Sequence, residues 1–145
     1  DALAWAVHGR ALALTVLLDA RKNEWYTAGY CWNSQTQCPV NTDPPRAIRP
    51  QDLLDLLAER EESVYLVGDA VPKYAELLQE RLGKKAVIPP DFQGLPRGAY
   101  AVREVWRQWQ VGGGASTIEP FYIRRSEAEV KWLQKQQEGR KDDWA

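Results

Sequence analysis

Few residues in this chain are able to do chemistry. One histidine, His8, and two cysteines, Cys31 and Cys38, accompany 20 acidic and 19 basic side chains. A zinc or iron centre needs three or four converging His, Cys, Asp or Glu ligands. A lone imidazole beside Gly9, where a helix is expected to stop, reads as a dipole-friendly cap rather than a ligand or base. A nucleophilic thiol needs a positive neighbour to lower its pKa. Cys31 and Cys38, flanked by Trp32 and Pro39, have none nearby in the sequence and read as buried or incidental. The remaining candidates are the closely spaced charges Asp19, Arg21, Lys22 and Glu24. They read either as a local ion-pair cluster that pins a turn, worth ~0–1 kcal/mol per exposed pair, or as a partner surface, where arginine is enriched.

The elements that must position these charges lie in LALTVLLDARKNEWYTAGYCW, residues 12–32. Residues 12–18 are an almost unbroken apolar run, the pattern of a strand covered on both faces. Residues 25–32 are aromatic-rich and suit a second strand. The polar link 19–24 carries Asn23, which tolerates a left-handed turn conformation. The spacing therefore predicts an antiparallel hairpin with the charges at its tip.

Around the hairpin, residues 1–8 read as the end of a helix, with Leu3, Ala4 and Val7 on one face. The segment 33–50 is polar and proline-rich, with room for a short third strand near 39–42. A helix is expected over 51–60 with Leu53, Leu54, Leu56 and Leu57 on its apolar stripe, and Pro50 suits its first turn. A buried strand over 63–67 follows, then a second amphipathic helix over 71–82 that stops at Gly83. Another short strand is expected over 85–88. The longest helix is expected over 96–111, with Ala99, Val102, Trp106 and Trp109 at helical spacing and directed into the core. Residues 118–123 read as extended, and Ser126 with Glu129 as a capping-box start of a last helix. Alternating strands and helices on this pattern give a mixed α/β domain, one sheet with flanking helices.

A chain of 145 residues is one domain, and its net charge of −1 exerts no overall pull on a polyanion or an anionic membrane. The C-terminal cations Arg124, Arg125, Lys131, Lys135, Arg140 and Lys141 are interspersed with acids and read as a solvated face rather than an RNA grip. No apolar run approaches the ~20 residues that cross a bilayer. Two cysteines are too few for a disulfide framework, so a cytoplasmic setting is expected. The absence of methionine implies a processed piece or a cut fragment. Trp25 and Trp32 fit core or interface, and Trp132 and Trp144 a contact or a polar tail.

Three motifs in order carry a resemblance to a known family. VLLDARKNEWY, with Asp19, Arg21, Glu24 and Tyr26, resembles the hairpin of the TsaB (YeaZ) family. LVGDAVPKY resembles its strand-turn-helix, with Gly68 and Asp69 at the turn. IEPFYIRRSEAE resembles its P-x-Y-x-R segment, with Pro120, Tyr122 and Arg124. The resemblance implies the second, C-terminal lobe of an actin–hexokinase–sugar-kinase type fold over residues 1–129. It also implies a polar tail over 130–145 and a first lobe absent from the chain.

It further implies a non-catalytic scaffold in the threonylcarbamoyladenosine modification of tRNA. The partners would be a TsaD-like catalytic subunit and a TsaE-like ATPase, with tRNA met only through the complex. A homodimer would form where the first lobe is present. No cofactor is implied, and the metal-binding histidine pair of the related glycoprotease-like proteins is missing. ATP-binding relatives of that superfamily have a glycine-containing phosphate turn and paired glycines under adenosine. Here residues 19–23 lack glycine, and Asp69 follows Gly68, either crowding a nucleotide or capping the helix that begins near Val71. The alternative function is the nucleotide-binding lobe of a sugar-kinase-like or ATPase enzyme.

Overall fold

The computed structural model describes residues 1–7, 13–90, 96–112, 120–124 and Trp132. Strand β1, Ala13–Asp19, lies at the centre of a five-stranded sheet whose order is β3 (Cys38–Ile48), β2 (Trp25–Asn33), β1, β4 (Val64–Val67) and β5 (Ala86–Val87). Strand β2, Trp25–Asn33, pairs antiparallel with it, from Leu14 opposite Tyr30 to Asp19 opposite Trp25. On its other side runs β4, Val64–Val67, parallel to β1 and buried throughout. The short β5, Ala86–Val87, extends the parallel edge. The apolar runs of β1 and β4 follow from this central position, because both faces of each strand are covered.

One face packs Leu17, Trp25 and Leu66 against Leu53, Leu54 and Leu57 of α1, Pro50–Ala58, and against Leu78 and Leu82. The other packs Leu14, Val16, Ala28 and Tyr30 against Leu3 and Ala4. Those two residues belong to a 3-10 helix, Ala2–Val7, rather than to an α-helix end. Expectations placed on His8, Gly9, Trp144 and the capping box at Ser126 fall outside the described residues.

Three expectations need correction. The third strand is much longer than 39–42: β3 spans Cys38–Ile48 and pairs antiparallel with β2. Its prolines are tolerated because it is the sheet edge, where an N–H facing away from β2 has no ladder partner to lose. The helix expected over 71–82 is two pieces, α2, Ala70–Lys73, and α3, Ala75–Leu82. Tyr74 leaves helical geometry between them and sets its ring edge-on to Trp25, with centroids 5.2 Å apart.

The third correction concerns α4, Gly98–Gly112. Its apolar stripe faces away from the fold: Val102 is 70% exposed, Trp106 57% and Trp109 56%. The buried side chain is Glu104. Its carboxylate accepts from Trp5 Nε1 at 3.0 Å, Gln108 Nε2 at 3.0 Å and Arg107 through both Nε and Nη2, at 3.1 and 2.6 Å. Helical periodicity identifies an amphipathic helix but not which side is inward. Here the polar side docks through Trp5, which donates to Glu104 and lies under the Arg103 guanidinium at 4.5 Å, while Arg107 and Gln108 of the same helix satisfy the rest of the carboxylate.

Candidate functional site: a polar clamp at the hairpin tip

At the end of β1 the chain turns through Arg21, Lys22 and Asn23, all with positive φ, at 59°, 51° and 58°. Side chains make that region unfavourable, least so for Asn. Local bonds hold the turn: the Ala20 N–H donates to the Glu24 carbonyl and the Glu24 N–H to the Arg21 carbonyl, both at 3.0 Å. Asp19 completes it, one carboxylate oxygen accepting from the Arg21 N–H at 2.8 Å.

The other oxygen of Asp19 receives Lys73 Nζ at 2.5 Å, joining the tip to the end of α2. The hydrogen bond from Lys73, with that from the Arg21 N–H, holds the Asp19 carboxyl below its usual range. The same bond raises the Lys73 ammonium. Asp69 reaches back to the same strand end, its Oδ1 accepting from the Asp19 N–H at 3.0 Å. Glu24 is met by Arg124, Oε2 to Nη1, at 2.7 Å.

The charges therefore act neither as a purely local cluster nor in isolation. Asp19, Asp69, Glu24 and Arg124, drawn from three separate motifs, meet at one place. Arg21 contributes its backbone there. Lys73, the cation that secures Asp19, was not singled out from the sequence; its position four residues after Asp69, at the end of one helical turn, is the signal that could have found it.

The capping role considered for Asp69 is not observed. Asp69 sits at the N-cap of α2 with helical angles and makes no side-chain cap bond, because its carboxylate is turned to the Asp19 N–H. Gly68 has φ 119°, and a Cβ there would stand 2.1 Å from the Leu17 carbonyl oxygen. The glycine is required by the close passage of this turn over β1, which accounts for it without a ligand.

Beside the clamp, an apolar cavity of about 430 Å³ opens between the sheet and the segment 120–124. Leu18, Tyr26 and Ala28 form its floor, and Phe121 and Ile123 border it. Pro120 and Tyr122 are exposed, Tyr122 at 81%. Cys31 and Cys38 are free thiols, both half-buried. Among the described residues no group of three or more His, Cys, Asp or Glu is placed to hold a metal ion. No helix of those residues is long and apolar enough to cross a membrane.

No family model matches the chain. The chain is 25% identical over 126 residues to the tRNA threonylcarbamoyladenosine biosynthesis protein TsaB of Bacillus subtilis (strain 168), a match covering 85% of this chain and 52% of that protein. Among solved structures it resembles an uncharacterized protein with similarity to the peptidase YeaZ, from Pseudomonas aeruginosa. There the TM-score is 0.59 at 17% identity, over 83% of this chain and 54% of the other. The chain thus spans about half the length of these relatives, and the structural likeness shows a shared fold. In sequence over 85% of its length the chain is similar to TsaB, and in fold it is similar to a YeaZ-like protein.

Proposed function

We infer that this chain is a non-catalytic supporting lobe in the formation of threonylcarbamoyladenosine on tRNA. It acts in the cytoplasm, held against a TsaD-like catalytic subunit that works with a TsaE-like ATPase, and meets tRNA only through that complex. The likeness to TsaB supports the pathway. The observation that carries the supporting role is the state of the clamp: its carboxylates are bonded to Lys73, Arg124 and backbone N–H groups of the same chain. Groups so engaged hold three motifs together, and moving a proton or a phosphoryl group would require breaking those bonds.

A chimera tests the role. The half of Bacillus subtilis TsaB that matches this chain is replaced by it, and threonylcarbamoyl incorporation into tRNA is measured with the cognate partners. Incorporation well above that of a partner-only control supports the reading. A folded chimera with no effect on incorporation contradicts it.

A further inference from the structure

The apolar residues of α4, Val102, Val105, Trp106 and Trp109, recur at the spacing that places four side chains on one side of a helix. All four are more than half exposed, Val105 at 66%. The rings of Trp106 and Trp109 lie against each other with centroids 5.2 Å apart, so they present one continuous surface. The helix is held to the fold from its opposite side, by Glu104 on Trp5 Nε1 and by Arg103 over the Trp5 ring. Docking of α4 therefore does not use the stripe.

The composition of this face decides what can cover it. On the helical wheel the positions flanking the stripe are Gly98, Ala99, Ala101, Gln110 and Gly112, none of them ionisable. The cations of the helix are engaged elsewhere, Arg107 on Glu104 and Arg103 on Trp5. An uncharged face has nothing to draw a nucleic acid or an acidic peptide, and nothing to repel its own copy.

The order of the four residues is also self-complementary. Consider two antiparallel α4 helices related by a two-fold axis midway between Val105 and Trp106. Val102 then meets Trp109 of the second copy, small against large. The two Val105 side chains meet on one side of the axis and the two Trp106 rings on the other. A whole aromatic side chain buries ~150–250 Å², so covering the four residues on both copies removes on the order of 1,000 Å² from water, the lower limit of a specific interface.

We propose that this lobe pairs with a second copy of itself through the outward face of α4, the two helices antiparallel about that axis. The surface lies wholly on this chain, so the chain by itself should show the pairing.

Sedimentation equilibrium tests this. A monomer–dimer equilibrium is expected with Kd on the order of 10 μM, as suits a small interface. Well below that concentration the single chain prevails, and its stability does not depend on the stripe. Val105→Arg and Val105→Glu each bring like charges together beside the axis and should weaken pairing at least about 10-fold. Mixed in equal amounts, the two variants should form a heterodimer about as tight as the wild-type pair, because opposite charges then meet. Position 105 is exposed in the single chain, so both variants should fold; unchanged circular dichroism and Tm at low concentration verify it. A chain that stays monomeric to about 200 μM, a dimer indifferent to both substitutions, or a mixture no tighter than its components would each overturn the proposal. Open-ended aggregation, or a monomer that binds neutral phosphatidylcholine vesicles, would give the face a different occupant and overturn it as well.

Discussion

Glu24 and Arg124 are joined by a 2.7 Å bond although 100 positions separate them. The pair ties the hairpin tip to the segment that borders the apolar cavity, so the first and third motifs share one contact. Both side chains are about one third exposed, which bounds its strength.

Removing either partner is expected to cost about 0.2–1 kcal/mol. A double-mutant cycle with Glu24→Gln and Arg124→Gln, read by urea unfolding, should return a coupling of that size. Exchanging the charges, Glu24→Arg with Arg124→Glu, should restore most of it. A coupling of zero would mean that the segment 120–124 is not fastened through this pair.

Acid unfolding reports on two carboxylates. Asp19 is held below its ordinary value of 3.8 by Lys73, and Glu104 is brought from 4.5 to about 2 by its bonds from Arg107, with Gln108 and Trp5 adding to them. A depressed pKa means that the unfolded chain binds the proton more tightly. The stabilisation is therefore complete above the unfolded values and is lost as pH falls through the folded ones. Between pH 4.5 and about 2 the wild type should lose stability more steeply than Glu104→Gln, and Asp19→Asn should remove a smaller part of the slope. Urea midpoints across that range decide it; parallel curves for all three proteins would contradict the assignment.

Gly68→Ala places a methyl group against the Leu17 carbonyl oxygen at a φ that L-residues avoid. Backbone strain and overpacking together are expected to cost about 3–5 kcal/mol. Thermal unfolding should show a large drop in Tm or a failure to fold. A stable Gly68→Ala protein would show that the turn has room above β1, as a ligand site would.

The outward stripe of α4 makes the opposite forecast. Val102→Ser and Trp106→Gln should each change the stability of the isolated chain by no more than about 0.5 kcal/mol. Losses of about 3 kcal/mol would mark these side chains as core.

The hairpin was legible because the run from Leu14 to Leu18 can be covered only in the middle of a sheet, and a polar link follows it at once. The three motifs were legible as strings, but their meeting was not. The reach of Lys73 to Asp19 and of Arg124 to Glu24 is set by tertiary placement, which no local pattern encodes. Prolines at 39, 44 and 45 hid β3, because a breaker in a central strand is acceptable in an edge strand. The stripe of α4 misled for a different reason: the helix docks through the contact of Glu104 and Arg103 with Trp5, and periodicity says nothing about which face finds partners. The irregular pairing of β2 with β3 at Gly29 was not legible, because a lone glycine in a strand gives only a hint of it.

The central claim is that the clamp serves architecture and leaves no seat for a triphosphate. Calorimetric titration of the chain with ATP and magnesium addresses it most directly. The account expects no saturable heat at concentrations where a nucleotide-binding lobe would be filled. Micromolar binding, lost on Asp69→Asn or Arg21→Ala, would contradict it and make the lobe a nucleotide site.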